Sequence, residues 1–177
     1  MRYNIFLFAL IALLSACGNG AKQNNDATAD ATEELSAQAI TVDSVLSVAP
    51  NIVGKEVVVK GNVTHVCHRT HHRCFIRGER KTNIRIEAGE QLGGFNNELI
   101  GSQLIVKGTI GESHLSLEYV KSQKERIEKQ EAEDGSSAQC DAERVKVEEM
   151  EKWMAEHGTD YYPVYFITAS DFESVAD

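Results

Sequence analysis

The segment KEVVVKGNVTHVC, residues 55–67, carries the strongest structural pattern in this chain. Valine or glycine occupies positions 57, 59, 61 and 63, and the same parity continues to His65 and Cys67. Alternation of this kind is typical of a β-strand that buries one face. Gly61 suits a bulge near the middle of the segment. The pattern therefore predicts a long, bent strand.

Four shorter strands and three helices are expected in the rest of the chain. Alternation and β-forming residues predict strands over residues 74–77, 82–87, 103–110 and 162–168. Helical spacing predicts a short helix within residues 41–53 and two charged helices over residues 117–133 and 141–157, with Asp141 as an N-cap candidate. The expected fold is mainly β with α. It is a five-stranded barrel with a short N-terminal helix and a two-helix insertion before the last strand.

Three strand sequences carry a resemblance to a known group of proteins. They are VKGNVTHVCH at 59–68, RCFI at 73–76 and TNIRIEA at 82–88. Together they resemble Bacteroides-type lipoproteins with an OB-fold of the tRNA-anticodon-binding-like, or nucleic-acid-binding-like, class. The resemblance implies that the barrel is OB-fold-like. It implies little about chemistry, because one fold hosts many functions.

The N-terminus resembles a bacterial lipoprotein signal. Arg2 precedes ten apolar residues and the peptide LSAC at 14–17, so cleavage is expected before Cys17 and lipidation on its sulfur. A short helix or an ordinary cleaved signal are the alternatives. The expected divisions are a signal peptide at 1–16, a flexible tether at 17–39 and an OB-fold-like domain at 40–177. Gly18 favours the outer membrane of the cell envelope, with the membrane face left open.

The segment HVCHRTHHRC, residues 65–74, holds four of the six histidines and two of the four cysteines. If a hairpin is centred between Thr70 and His71, Cys67 lies opposite Cys74 and His65 lies opposite Ile76. Thiolate and imidazole ligands suit zinc and copper. A disulfide between the two cysteines, or unpaired buried cysteines with solvent-facing histidines, are the alternatives. The candidate metal ligands are Cys67, Cys74, His65, His68 and, from the start of a later helix, Cys140.

The same region is locally basic in a chain of net charge −9. Six Lys and Arg residues and one acidic residue lie between His65 and Arg85. OB barrels bind oligonucleotides or oligosaccharides on a face formed by their second and third strands. Arg77, Arg85 and Phe75 are therefore candidate ligand-binding residues. The alternative is a solvated basic edge that pairs with the acidic helices of the protein itself.

The chain contains no sequence motif of an enzyme: it lacks a phosphate-binding glycine loop after a strand, a Gly-x-Ser-x-Gly elbow and a His-Glu-x-x-His pair. We therefore expect a non-enzymatic, lipid-anchored envelope protein that binds an unknown ligand. An oligosaccharide, an oligonucleotide or an envelope protein would be its partner. The alternatives are a zinc- or copper-binding or thiol-redox protein that uses the Cys/His segment, and a structural interaction domain.

Overall fold

A computed structural model describes residues 38–175 of the chain. The expected signal peptide, Cys17 and nearly all of the tether lie outside these residues. The described elements, in chain order, are β1 (Ile40–Thr41), α1 (Val42–Val48), β2 (Glu56–Val66), β3 (Arg73–Arg77), β4 (Asn83–Ala88), β5 (Gln103–Ser116), α2 (Leu117–Asp134), α3 (Ala138–His157) and β6 (Tyr161–Val175).

Five of the strands close into a barrel. β2 pairs with β3, β3 with β4, β4 with β6, β6 with β5, and β5 with β2 again. Only the β4–β6 pair within this ring is parallel. The short strand β1 adds to β2 in parallel as a sixth strand. The expected five-stranded barrel, with an N-terminal helix and two helices before the last strand, is confirmed.

The strand β2 is bent, but its bulge lies beyond Gly61. The register against β3 shifts between Val63 and His65, so the side of the strand that faces inward changes there. Val66 is consequently buried, whereas His65 is exposed. Gly61 has a different role, because a Cβ there would lie 2.8 Å from the carbonyl oxygen of Arg77. Glycine thus allows β3 to approach closely.

The barrel interior is filled by aliphatic side chains from every barrel strand, and buried residues of α1 and Phe95 belong to the same cluster. Val59, Ile76, Ile86, Leu104 and Ile167 are each fully buried. Burying one such side chain contributes about 1.5–3 kcal/mol. Apolar side chains therefore fill the inward-facing positions of the barrel. The polar side chains that could bind a ligand lie on its outer face.

β5 and β6 are longer than the sequence predicts. Their antiparallel pairing runs from the pair Gln103–Val175 to the pair Ser116–Tyr161. The second end of this two-stranded ribbon connects to the two long helices. Ser116 caps α2 through the backbone N–H of Tyr119. Ser137, rather than the expected Asp141, caps α3, because its hydroxyl accepts from the N–H of Cys140.

The two long helices pack on each other around a second apolar cluster. Its buried members are Val120, Ile127, Cys140, Val147 and Met154. Ion pairs between the helices flank this cluster, for example Lys124 to Glu151 at 2.9 Å and Arg126 to Glu143 at 2.7 Å. Among the described helices, none has the length and apolar character needed to cross a membrane.

Candidate ligand-binding face

One residue from each of four neighbouring strands forms a row across the outside of the barrel. His65 on β2 pairs with Phe75 on β3, Phe75 pairs with Arg85 on β4, and Arg85 pairs with Phe166 on β6. Directly paired residues project from the same side of a sheet. The buried neighbours Cys74, Ile84, Ile86 and Ile167 point inward. We call His65, Phe75, Arg85 and Phe166 the cross-strand row.

Aromatic contacts hold the row together. The rings of His65 and Phe75 have centroids 6.1 Å apart at an angle of 45°. The guanidinium carbon of Arg85 lies 4.8 Å from the centre of the Phe166 ring. On β5, a Cβ at Gly111 would come within 2.4 Å of Cζ of Phe166, so glycine leaves the space that this ring occupies.

Glu87 fixes the charged end of the row. Its Oε1 lies 3.2 Å from Nε of Arg85 and 3.1 Å from Nε of Arg73. The Nε of Arg85 is buried and is not oriented to form a hydrogen bond, although the side chain as a whole is 25% exposed. Phe166 and Glu87 therefore hold the guanidinium plane, and its terminal nitrogens remain the part that can reach a ligand. A guanidinium held in this way suits a carboxylate or phosphate.

Arg77 lies in the next row on the same face. It pairs with Asn62 on β2 and Asn83 on β4, and its Nε donates to Oδ1 of Asn83 over 3.2 Å. Together with Arg73 it flanks the cross-strand row along β3. The three residues predicted to bind ligand, Arg77, Arg85 and Phe75, thus share one outer face.

The structure adds Phe166 and His65 to this face. Phe166 was not recognised from the sequence, because its proximity to Arg85 depends on the parallel pairing of β4 with β6. A usable signal does exist within β6. Apolar Ile167 and Ala169 alternate with polar Thr168 and Ser170 in the sequence, and Phe166 has the parity of the polar pair, so this alternation places Phe166 outside the barrel.

The Cys/His segment is arranged differently from the sequence expectation. Val66, not Cys67, lies opposite Cys74, and His65 lies opposite Phe75 rather than Ile76. The physical reason is the bulge after Val63, which moves the register by one residue. Cys74 belongs to the barrel core, whereas Cys67 is half-buried at the start of the turn. The three described cysteines are free thiols in the structure, without a disulfide between Cys67 and Cys74.

The thiols of Cys67 and Cys74 differ in acidity. Burial raises the pKa of Cys74 to about 12. The pKa of Cys67 is lowered, chiefly by the hydroxyl of Thr70, which donates to Sγ over 3.5 Å, and further by the backbone N–H groups of Thr70 and Arg69 and by the charge of Arg73. Cys67 is therefore the more readily ionised thiol of the two.

The five candidate metal ligands are distributed over four places, one of which is Cys67 at the start of the turn. His65 and His68 lie together, with ring centroids 5.8 Å apart. Cys74 is inside the barrel, and Cys140 is buried in the cluster between α2 and α3. Within residues 38–175, no three His, Cys, Asp or Glu side chains form a group that could hold a metal ion. The zinc or copper site remains a prediction from the sequence.

Comparison with protein-family models and with curated protein sequences gives no match. The chain matches no model of a protein family, and no curated protein is significantly similar to it in sequence. Function is therefore inferred from the fold and from the cross-strand row.

Proposed function

We propose that this protein is a lipid-anchored binding module of the cell envelope whose barrel binds an acidic oligosaccharide on its outer face. The lipid anchor rests on the N-terminal signal pattern and Cys17. The binding role rests on one observation. Arg85 is held between Phe166 and Glu87, beside the ring of Phe75, on an open face of the barrel.

The side chains of this face suit a ligand that combines rings with acidic groups. The terminal nitrogens of Arg85 can pair with a carboxylate, and Phe75 and His65 offer ring faces beside it. Because Glu87 offsets the charge of either Arg73 or Arg85, the net positive charge of the face is modest. The whole chain is acidic, at −9. A phosphodiester chain requires several uncompensated cations, so a short oligosaccharide with few carboxylates fits better.

Calorimetric titration of the mature chain would test this proposal. The probes are a tetramer of galacturonic acid and a thymidine octamer. We expect saturable binding of the acidic tetramer, weakened about tenfold or more by Arg85→Ala, because a charge-assisted hydrogen bond contributes about 1.5–3 kcal/mol. Phe75→Ala should also weaken binding.

Lys152→Ala is the matched control. Lys152 is a cation on α3, away from the barrel face, and its side chain is 76% exposed. Loss of binding in this variant would point to non-specific charge attraction. Binding of the thymidine octamer alone would replace the oligosaccharide with a nucleic acid, and binding of neither probe would refute the proposal.

A second candidate function is thiol or metal chemistry at Cys67. The observation in its favour is the hydrogen bond from the Thr70 hydroxyl to Sγ, together with the lowered pKa of this half-buried thiol. Two imidazole side chains, His65 and His68, lie near Cys67 in the sequence, and their ring centroids are 5.8 Å apart. Titration of zinc and of copper(I) into reduced protein, with thiol counting before and after, would test it. Unchanged thiol counts and no bound metal would exclude it.

A further inference from the structure

A cleft of about 350 Å³ lies where α3 meets the barrel. Trp153 of α3, Asn83 at the start of β4, and Tyr162, Pro163 and Tyr165 of β6 line it, and the end of α1 closes one side. The cleft exists because β6 extends beyond the start of β4, so the first residues of β6 pair only with β5. Its volume is within the range of about 300–1,000 Å³ usual for small-molecule sites.

Two aromatic rings form a fixed corner in this cleft. The planes of Trp153 and Tyr162 meet at 78°, with centroids 5.4 Å apart. The indole is also stacked on His157 at 4.0 Å, and Nδ1 of His157 lies 2.8 Å from the carbonyl oxygen of Trp153. These contacts hold the indole in place before any ligand arrives, which lowers the entropic cost of binding.

The polar groups of the cleft are neutral. The amide of Asn83 accepts from Arg77 through Oδ1, which leaves its Nδ2 available as a donor. The indole N–H and the hydroxyl of Tyr162 add further donors and acceptors. Among the described residues, none with a charged side chain lines the cleft. A charged ligand would therefore lose hydration here without gaining a partner.

We propose that this cleft binds a neutral sugar ring of an oligosaccharide. A pyranose has one face of C–H groups, which are attracted to the electron-rich face of an aromatic ring, and a rim of hydroxyls that form neutral hydrogen bonds. The corner of Trp153 and Tyr162 provides the aromatic surface, and Asn83 provides a hydrogen-bonding edge. A planar base would instead need a parallel aromatic surface and a cation for its phosphate.

The cleft adjoins the outer face of the barrel through one hydrogen bond. Asn83 lines the cleft and accepts from Arg77, which is on the same strand as Phe75. One oligosaccharide could therefore place an acidic residue at Arg85 and a neutral ring at Trp153. In this respect the inference extends the proposed function, on which it rests for the identity of the polymer.

Trp153 is the only tryptophan of the chain, so its fluorescence reports directly on the cleft. The test is titration of the mature protein with neutral tetrasaccharides of glucose, galactose, mannose and N-acetylglucosamine, and with a thymidine octamer. We expect a saturable change of emission with at least one tetrasaccharide. Asn83→Ala and Tyr162→Phe, which removes only the hydroxyl, should each weaken that binding by about threefold to tenfold.

Lys152→Ala, next to Trp153 but on the exposed side of α3, should leave the titration unchanged. No emission change with any neutral tetrasaccharide, or a change with the thymidine octamer alone, would overturn the inference. The two proposals fail separately. Galacturonate binding without any emission change by neutral sugars would support the outer-face site and exclude the cleft site. An emission change by neutral sugars without galacturonate binding would support only the cleft site.

Discussion

Arg85 on β4 and Phe166 on β6 are direct partners in the parallel strand pair of the barrel, with the guanidinium carbon 4.8 Å from the centre of the phenyl ring. The outer end of that ring lies against Gly111 of β5. Phe166 is thus a support between a glycine and an arginine, and its main effect on a ligand is to orient Arg85. Variants of Phe166 and Gly111 test this support, whereas variants of Arg85 and Phe75 test the contact with the ligand.

Replacement of Phe166 by leucine should weaken galacturonate binding without unfolding the protein. Leucine keeps an apolar side chain on β6 but removes the aromatic face beneath Arg85. A cation–π contact contributes about 0.5–1 kcal/mol, so the dissociation constant should rise about two- to fivefold. Tyr119→Leu, the same kind of change at an exposed position on α2, is the control. Equal affinity of wild type and Phe166→Leu would show that Arg85 needs no such support.

Gly111→Ala should destabilise the fold and disturb the row. The new Cβ would lie 2.4 Å from Cζ of Phe166, so the ring must move away from β5. Overpacking of this kind costs about 1–3 kcal/mol, measurable as a lower midpoint in urea. Gly93→Ala is the matched control, since a Cβ there meets no atom within 4 Å. A loss of stability in both variants alike would contradict the steric explanation.

Cys67 should react with iodoacetamide much faster than Cys74. The lowered pKa of Cys67 gives more thiolate at neutral pH, whereas burial both raises the pKa of Cys74 and shields its sulfur. Thr70→Val should shift the pH profile of Cys67 alkylation upward, because the main stabilising hydrogen bond is removed. Peptide mapping of the alkylated protein identifies each site. Preferential labelling of Cys74 in folded protein would mean that the register at the bulge is wrong.

Asp43 should stabilise the protein only above acidic pH. Its carboxylate accepts from the hydroxyl of Thr82 and the N–H of Arg80, and the Thr82 hydrogen bond is the main cause of its lowered pKa. The stabilisation is therefore complete above the unfolded pKa and is lost as pH falls through the lower folded pKa. Asp43→Asn should lower the urea midpoint at neutral pH and have little effect in strong acid, unlike the exposed control Asp160→Asn. A constant difference across pH would exclude this explanation.

Cys17→Ser should leave an unprocessed precursor without a lipid label, because the acceptor thiol is missing. Metabolic labelling with a fatty acid, followed by fractionation of the envelope, measures both effects. Cys140→Ser is the control cysteine. Normal lipid labelling of the Cys17 variant would remove the basis for placing the protein in the envelope.

Most of the strands and helices can be predicted from local patterns in the sequence. The alternation before Gly61 places Val59 inside, and the helical spacing after Leu115 predicts both long helices, because these features depend on the period of a single element. The ends of elements were less predictable. Asp141 and Ser137 are both capable N-caps, and only the observed hydrogen bond to Cys140 identifies Ser137 as the cap.

The candidate site likewise has residues that the sequence predicts and contacts that only the folded chain shows. The sequence predicted that Phe75, Arg77 and Arg85 lie on one face, because the second and third strands of the expected barrel form its ligand-binding surface. The tertiary structure was needed to pair Val66 with Cys74, because a bulge is a property of the paired strands. It also decided that Phe166 supports Arg85 and that Trp153 meets Asn83 at one cleft. These residues are distant along the chain, so their contacts exist only once the barrel closes and packing fixes the register.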